Sequence, residues 1–324
     1  MIWFTVRMAI PKGSLEEETF SFLKQAGINL YGVSRSYRPI TNFQGLQVKI
    51  LRPQEIPVLV QEGTYDLGIS GKDWVRENRA DVKVLLDLEY GKVRLVLATP
   101  VNSGLESLAD LVELSKRRPV RISTEYLNLA REWIASSDAY KEVYEEPPTL
   151  ITPWYRVEGN ERFKLILSFG ATEAKPPEDA DAIIDNTATG TTLARNGLKP
   201  VETICESSAV LIANRESLRD KARLERIKDL YALFRGVVFA RKNVHIFMNV
   251  IEDNLERLIE LLPALKGPTI SRLSKPGWYA VNTVLRKDQL LELLPRLRKL
   301  AQGLVVTDPR QVLLLEDVDS LGEP

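Results

Sequence analysis

Small hydroxyl residues follow an acid in residues 181–193, and this arrangement suits the binding of a sugar phosphate. An apolar run at residues 182–184 predicts a short strand that leads directly into Asp185. The following residues are almost all Thr, Gly, Ala or Asn, and a helix-like segment begins near Leu193. N–H groups at a helix start and threonine hydroxyls can converge on a phosphate, and a neighbouring acid can hold ribose hydroxyls or Mg²⁺. The segment therefore predicts a ribose 5-phosphate loop, with an ordinary polar strand-helix turn as the alternative.

The amino-acid composition limits which classes of partner the protein can bind and which side chains can carry out catalysis. The 324 residues contain 44 Lys+Arg and 44 Asp+Glu, so no overall basic field favours nucleic acid or a membrane as partner. The lone Cys205 and lone His245 exclude an internal disulfide and a cysteine- or histidine-rich metal site. Both are interpreted as strand residues, the cysteine as an inert thiol. Catalysis must therefore depend on carboxylates, Lys, Arg, hydroxyls, backbone amides or a bound metal.

No segment predicts export or membrane insertion. Residues 1–10 are apolar but are interrupted by Arg7 and lack a small-residue cleavage site, so they are interpreted as a first strand. No apolar run approaches the length of a membrane span. We expect a soluble cytoplasmic protein of two or three domains.

Strands and helices alternate along the first two thirds of the chain. Residues 5–10, 46–51, 66–69, 93–98, 120–123 and 209–213 read as strands, and helical segments lie between most of them. This alternation predicts α/β lobes with largely parallel strands. Residues 136–162 are rich in charge, Pro and Tyr without clear periodicity, and are interpreted as a surface excursion.

The last eighty residues follow a different order. They read as strand, helix, two strands, helix and strand, which is a βαββαβ unit. The acidic residues after Leu315 are interpreted as a disordered tail.

Six segments carry a further pattern in a fixed order along the chain. They are RMAIPKGSL at 7–15, LRPQEIP at 51–57, DLGISGKDW at 66–74, RISTEY at 121–126, DNTATGTTL at 185–193 with NGL at 196–198, and GPTI at 267–270 with PGW at 276–278. Together they resemble the ATP phosphoribosyltransferase family, and the terminal βαββαβ unit resembles the regulatory domain of its long form. Asn186 departs from the pattern, because the family prefers an aliphatic residue after the loop acid.

The resemblance implies a fold. A catalytic core of two lobes, like that of periplasmic binding proteins, would precede a ferredoxin-like or ACT-like regulatory domain. The implied parts are lobe I at 1–98 and 201–240, lobe II at 99–200, the regulatory domain at 241–315 and the tail at 316–324.

The resemblance also implies a reaction and its participants. The phosphoribosyl group of phosphoribosyl pyrophosphate would pass to N1 of ATP with Mg²⁺ as cofactor. This is the first step of histidine biosynthesis, inhibited by histidine, in an enzyme that forms dimers and hexamers.

The implied catalytic residues are Asp185, Lys12 and Arg52. The implied phosphoribosyl pyrophosphate contacts are Glu173, Asp185, Thr187, Ala188, Thr189, Gly190, Thr191 and Thr192, with Asp185 and Glu173 also the metal ligands. The implied ATP contacts are Lys12, Arg52, Ser70, Asp73 and Tyr126. The implied histidine contacts are Asn249, Leu265, Gly267, Thr269, Val284 and Gly303.

Structural alternatives exist for the single residues. Lys12 and Arg52 are also consistent with solvated charges, Asp73 with a helix N-cap, Glu173 with an exposed acid and Tyr126 with a core ring. At the level of function, the alternatives are a non-catalytic two-lobe binding protein and a phosphoribosyltransferase that acts on another base. The first would need no phosphate loop, and the second would keep the loop and lose the adenosine contacts.

Overall fold

The computed structural model describes residues 5–34, 36–263 and 267–315. Leu265 and the predicted tail at 316–324 lie outside these ranges. In the described part of the chain, no helix is long and apolar enough to cross a membrane.

The strands and helices of the described residues run in the following order. The strands are β1 (Val6–Pro11), β2 (Leu30–Tyr31), β3 (Ile40–Thr41), β4 (Leu46–Leu51), β5 (Leu67–Gly71), β6 (Lys83–Asp87), β7 (Val93–Pro100), β8 (Val120–Thr124), β9 (Pro148–Ile151), β10 (Arg156–Val157), β11 (Asn160–Leu167), β12 (Ala182–Thr187), β13 (Leu198–Ser207), β14 (Ala209–Ala213), β15 (Asn243–Ile251), β16 (Thr269–Arg272), β17 (Trp278–Arg286) and β18 (Ala301–Thr307). The helices are α1 (Glu16–Gln25), α2 (Ile56–Gln61), α3 (Lys72–Glu77), α4 (Leu108–Arg117), α5 (Leu127–Ser136), α6 (Asp138–Lys141), α7 (Thr191–Arg195), α8 (Arg215–Arg219), α9 (Lys221–Lys242), α10 (Glu252–Leu261) and α11 (Lys287–Leu300).

The chain forms two compact units, and the first, residues 6–18 and 47–217, contains two α/β sheets. One sheet has the order β4-β1-β5-β14-β6, with β1 and β5 parallel and β14 antiparallel to its neighbours. The other has the order β10-β9-β11-β8-β12-β7-β13, with a parallel centre of β9, β11, β8 and β12. Parallel strands place their carboxyl ends at one edge, where ligands generally bind.

Apolar strands and helix faces build the core of the seven-stranded sheet. Leu165, Ile122 and Ile184 are fully buried on neighbouring strands, and Ile134 of α5 is fully buried in the same cluster. Burying a side chain of this size contributes roughly 1.5–3 kcal/mol, which fixes the strand ends that carry the loops.

Two expectations require correction here. Residues 136–162 are not a surface excursion, because β9 pairs with β11 inside the sheet and Tyr140 of α6 is 1% exposed. A short strand buried on both faces carries no alternating pattern, so the sequence did not reveal it. The predicted strand at 182–184 is also too short, since β12 pairs with β7 as far as Thr187. The expected lobe boundary at 98/99 falls inside β7.

The second unit comprises residues 19–46 and those from 218 onward, together with the start of the chain. Its four-stranded sheet has the order β16-β17-β15-β18 and is antiparallel throughout. Alternate residues of β15 face the core, where Ile246, Met248 and Val250 are buried with Leu258 of α10 and Leu297 of α11. The α/β lobes and the C-terminal βαββαβ unit predicted from the sequence are thus confirmed.

Candidate active site

The predicted phosphate loop turns tightly between β12 and α7. Gly190 has φ of 80° and precedes the first residue of the helix, a backbone conformation that favours glycine. Its N–H donates to Oγ1 of the buried Thr187 at 2.9 Å, so this threonine stabilises the turn from its buried side. The hydroxyls of Thr189 and Thr191 lie 2.9 Å apart on the exposed side, next to exposed Thr192 and Ala188. The first N–H groups of a helix lack acceptors within it, so this surface presents donors to an anion.

Asp185, at the foot of the loop, is a half-buried acid with an unusual protonation equilibrium. Its pKa is raised to about 7, chiefly by burial and further by the negative charges of Glu125 and Glu173, against the opposing hydrogen bond from the N–H of Asn186. Glu125 directly follows β8 and Glu173 lies in the 3-10 turn Thr172–Ala174, so two further loops of this unit bring carboxylates toward Asp185. The sequence missed Glu125, although its place after a parallel strand was a usable signal.

Lys12 and Arg52 meet at the ends of adjacent strands of the other sheet. The N–H of Lys12, just past β1, donates to the carbonyl oxygen of Leu51 at the end of β4 at 2.7 Å. Arg52 is exposed and lines a cavity of about 520 Å³. We call this space the Gln54 cavity, and its lining residues are Arg52, Gln54, Glu55, Trp74, Glu125, Leu167, Ser168, Phe169 and Gly170. Its walls come from both sheets of the unit.

A second cavity, of about 490 Å³, adjoins the phosphate loop through Ala188 and carries three cations that the sequence did not single out. We call it the Lys72 cavity, and its lining residues are Lys72, Asp87, Lys92, Val93, Arg94, Ala188, Glu206, Ser207 and Ser208. Arg94 on β7 pairs in register with Thr187 on β12, which places its cation one strand from the loop. Lys92 lies two residues before Arg94, and this spacing on one face of a strand was the missed signal.

Three residues expected to contact ATP are buried and hydrogen-bonded within the protein. Tyr126 is 0% and Asp73 5% exposed, and the tyrosine hydroxyl donates to Oδ2 of Asp73 at 2.8 Å. The other oxygen, Oδ1, accepts the Ser207 hydroxyl at 2.8 Å, and the Ser70 hydroxyl donates to the carbonyl of Pro53 at 2.7 Å. In this structure these three side chains therefore stabilise the protein around the site through hydrogen bonds within it.

Asn186, the residue that departs from the family pattern, belongs to the same network. Its Nδ2 donates to the hydroxyl of Tyr126 at 2.7 Å, which joins the phosphate loop to α3 through Asp73. Trp74 stacks on the Tyr126 ring with centroids 4.4 Å apart. Gly71 is needed for this arrangement, since a Cβ there would lie 2.1 Å from Oδ1 of Asp73.

A buried carboxyl also ties α3 to α5. Glu77 accepts the N–H groups of Asn128 and Leu129 at 2.9 Å each, and so caps the start of α5. Burial raises the pKa of Glu77, and these two backbone donors oppose the rise. The helices of the two sheets are therefore joined by hydrogen bonds beside the Gln54 cavity.

The expected histidine contacts fall on the C-terminal sheet. Asn249 on β15 and Val284 on β17 lie on the face opposite the helices, since the residues beside them in each strand are buried. Thr269 on β16 pairs with Asn282, which lies on the same face of β17 as Val284. Gly303 has φ of 63° in β18, beside the register shift between β15 and β18, and Gly267 precedes β16. His245 also lies on this sheet, with its Nε2 3.3 Å from Oδ1 of Asn282.

Two protein-family models match most of this chain. The family model described as ATP phosphoribosyltransferase matches residues 52–236, and the model described as HisG, C-terminal domain matches residues 240–309. An ATP phosphoribosyltransferase of Pelotomaculum thermopropionicum is 38% identical over 301 residues, 91% of this chain and 94% of that protein. One of Solibacter usitatus is 35% identical over 315 residues, 96% of this chain and 99% of that protein.

A solved structure supports the fold over the catalytic region. It is the ATP phosphoribosyl transferase (HisG:HisZ) complex from Thermotoga maritima, with a TM-score of 0.54 and 23% identity, and the match covers 71% of this chain and 99% of that chain. From the family models and the extent of the sequence similarity, this chain belongs to the ATP phosphoribosyltransferase family and carries its C-terminal domain.

Proposed function

We propose that this chain transfers the phosphoribosyl group of phosphoribosyl pyrophosphate to N1 of ATP, giving phosphoribosyl-ATP and pyrophosphate. The observation that carries the proposal is the loop from Asp185 to Thr192, where a half-buried carboxyl precedes a turn of exposed threonines closed by Gly190. Threonine hydroxyls and backbone N–H groups at this turn suit the 5-phosphate. The carboxyl of Asp185, which lies on β12 two residues before the strand ends at Thr187, suits the ribose hydroxyls.

The reaction needs charge stabilisation more than a strong base. Glycosyl transfer of this kind passes through an oxocarbenium-like state, in which positive charge develops on the ribose ring as pyrophosphate leaves. Ionised Asp185 and Glu173 would face that charge, and Asp185 must lose its proton to do so. Lys12 and Arg52 would hold the departing pyrophosphate, for which the planar fork of Arg52 is well shaped.

The donor set also suits a magnesium ion that arrives with the pyrophosphate. Among the described residues, no group of three or more His, Cys, Asp or Glu side chains is placed to hold a metal. Mg²⁺ commonly takes one or two carboxylates and completes its shell with water and substrate phosphates. Asp185 and Glu173 are the carboxylates that would hold it, and when bound it would neutralise charge on the pyrophosphate.

We further propose that histidine inhibits the enzyme by binding the C-terminal domain, in a homo-oligomer that forms dimers and hexamers. The support is the family's C-terminal domain at residues 240–309 and the shared sheet face of Asn249, Thr269 and Val284. Sedimentation velocity with and without histidine, beside the activity assay, tests both statements. A monomer under both conditions, or turnover unaffected by histidine, would contradict them.

The loop assignment is tested by the double substitution Thr189→Val and Thr192→Val. We expect kcat/KM for phosphoribosyl pyrophosphate to fall roughly 100-fold, because two donors to the phosphate are lost. The assay follows phosphoribosyl-ATP formation by absorbance. Thr64→Val is the matched control, since Thr64 is an exposed turn threonine remote from the loop.

The outcomes separate the three functions considered. Product from the wild type and loss in the double variant alone support the proposal. Undiminished turnover in the double variant would remove the loop assignment. A folded wild type that makes no product yet binds ATP by calorimetry would favour the non-catalytic binding protein, and transfer to a different base would favour another phosphoribosyltransferase.

A further inference from the structure

Glu125 lies in a setting that neither a ribose site nor a metal site explains. It lines the Gln54 cavity together with the apolar side chains of Trp74, Leu167 and Phe169. A cavity that combines apolar side chains with a few convergent polar groups is typical of a site for a small-molecule ligand such as a heterocyclic ring. Glu125 and Asp185 directly follow the paired residues Thr124 and Ile184 of the neighbouring parallel strands β8 and β12, so a ring in this cavity would lie next to the proposed ribose site.

The Glu125 carboxylate is held in a fixed orientation by Gln54. Nε2 of Gln54 donates to Oε2 of Glu125 at 3.2 Å. Oε1 of the same amide is buried without a hydrogen-bond partner among the residues described, which is an unfavourable arrangement for an isolated amide. Turning the amide over would bring its oxygen against the carboxylate. The position of Gln54 is therefore dictated by Glu125, and the amide acts as a positioning group.

An aromatic pair stands at the same cavity. Phe169 lines it and is 68% exposed, and Trp154, 72% exposed, meets the Phe169 ring edge-on with centroids 5.5 Å apart. Exposed aromatic rings at a cavity offer a stacking surface to a purine. Trp154 contacts this ring from the turn between β9 and β10, in the segment that the sequence analysis interpreted as a surface excursion.

The other acids and hydroxyls expected to recognise adenosine have partners within the protein. Asp73 is bonded to Tyr126 and Ser207 through both oxygens, and Ser70 to a backbone carbonyl. Of the two carboxylates that line the cavity, Glu55 accepts the N–H of Arg52 at 3.1 Å, and Glu125 is held on one oxygen by the amide of Gln54.

We propose that Glu125 accepts a hydrogen bond from the exocyclic 6-amino group of the acceptor purine, positioned by Gln54, with Phe169 as the stacking surface. This inference rests on the proposed function. In the step, the electron pair of N1 forms the bond to C1 of the ribose while pyrophosphate leaves with the electron pair of the C1–O bond. The purine gains positive charge that extends to the 6-amino group, so its hydrogen bond to the carboxylate strengthens and no proton is transferred. Glu125 is then a catalytic residue that also selects adenine.

The test compares ATP with purine riboside 5′-triphosphate, which keeps N1 and lacks the 6-amino group. The ratio of their kcat/KM values is measured in the wild type and in Glu125→Ala. The lower intrinsic reactivity of the analogue cancels between enzymes, so the change in the ratio reports the contact. We expect the preference for ATP to shrink roughly 10- to 100-fold in Glu125→Ala, the range for a lost hydrogen bond to a charged group.

Two further variants define the roles. Gln54→Leu should reduce the preference for ATP by a smaller factor, because the carboxylate remains and loses its orientation. Gln61→Leu is the control, since Gln61 is exposed at the end of α2 and bonded to Glu62 and to the N–H of Asp81. It should leave the ratio unchanged.

One measurement needs only the wild type and so does not depend on variant folding. Inosine 5′-triphosphate places a carbonyl oxygen where ATP has the amino group, and this acceptor would face the Glu125 carboxylate. We expect it to compete with ATP at least about 10-fold more weakly than purine riboside 5′-triphosphate does.

The outcomes separate this inference from the proposed function. An unchanged ratio in Glu125→Ala, or equal competition by the two analogues, overturns the inference while the transferase remains. A change confined to the KM for phosphoribosyl pyrophosphate assigns Glu125 to the ribose and also overturns it. A wild type that makes no phosphoribosyl-ATP overturns the proposed function itself.

Discussion

Tyr126→Phe removes one hydroxyl from the centre of the site and leaves the ring in place. The hydroxyl donates to Asp73 at 2.8 Å and accepts from Asn186 at 2.7 Å, while the ring stacks on Trp74. Burial, with the charge of Asp73 as a further cause, raises the pKa of Tyr126 well above its ordinary value, so the hydroxyl is a donor at neutral pH. Phenylalanine keeps the stacking contact, and the substitution therefore isolates the two hydrogen bonds.

The cost follows from the partners that remain. A hydrogen bond to a carboxylate contributes about 1.5–3 kcal/mol and one between neutral groups about 1 kcal/mol. The buried carboxyl of Asp73 keeps the hydrogen bond that the Ser207 hydroxyl donates to Oδ1, while Oδ2 loses its donor, so we expect Tyr126→Phe to lower the free energy of unfolding by about 3 kcal/mol.

Tyr140→Phe provides a matched control in the same unit. Its hydroxyl donates to the carbonyl oxygen of Glu146 at 2.7 Å and accepts from Nδ2 of Asn160 at 2.9 Å. Tyr140 is 1% exposed, but both partners are neutral, so its loss should cost about 1–2 kcal/mol.

Urea unfolding followed by tryptophan fluorescence measures both variants against the wild type. Because both tyrosines belong to the unit of residues 6–18 and 47–217, the same transition reports on each. The reasoning is refuted if Tyr126→Phe costs no more than Tyr140→Phe, since the Asp73 carboxyl would then not depend on this donor. Activity should also fall in Tyr126→Phe alone, because Asn186 and the adjoining Asp185 lose their support.

Three further outcomes are expected. The pKa of Asp185 is about 7 and the ionised form is the functional one, so kcat/KM should fall to about one tenth between pH 8 and pH 6. A kcat/KM that does not change over this range would contradict the role given to ionised Asp185. Glu173→Gln removes a negative charge that raises the pKa of Asp185, so the fall in kcat/KM should move to lower pH. Gly190→Ala, with φ of 80°, should raise the KM for phosphoribosyl pyrophosphate roughly 10-fold, whereas Gly104→Ala, with φ of 71° and equally open space, should not. Burial raises the folded-state pKa of Glu77 above its ordinary value, so the native state binds the proton more tightly than the unfolded state does. The free energy of unfolding of the wild type should therefore fall as the pH rises from the unfolded-state pKa of Glu77 through its raised folded-state pKa. Glu77→Gln should lack this fall, as urea midpoints at several pH values would reveal.

Local sequence was sufficient for the parts of the site that one segment contains. The acid, the threonines and Gly190 lie within eight consecutive residues, so the loop could be recognised before any tertiary contact was known. Lys12 and Arg52 were nominated through the family resemblance, Lys12 in the turn that follows the predicted strand at 5–10 and Arg52 directly after the one at 46–51. The C-terminal unit was predicted from the order of its strands and helices, and the sheet has the expected connectivity.

Residues separated along the chain were harder to assign. The pattern around Asp73 and Tyr126 suggests ligand contact. In the structure these residues, 53 positions apart in the chain, are instead joined to each other by a buried hydrogen bond. Gln54 and Glu125 lie in two of the six family-like segments but were not nominated as site residues, because their pairing arises only where loops from two sheets meet. In the sequence, Asn186 is only a departure from the family pattern. The structure shows that its amide donates a hydrogen bond to the hydroxyl of Tyr126.

The sequence by itself determined the family, the order of the elements and the loop that suits a sugar phosphate, because these depend on neighbouring residues and on backbone periodicity. Only the tertiary structure decided which polar side chains are buried as supports and which line a cavity. It also decided that Lys72, Lys92 and Arg94 line the same cavity. The physical reason is that burial and hydrogen-bond partners are set by packing between distant segments, and the free energy of a charged or polar group depends on both.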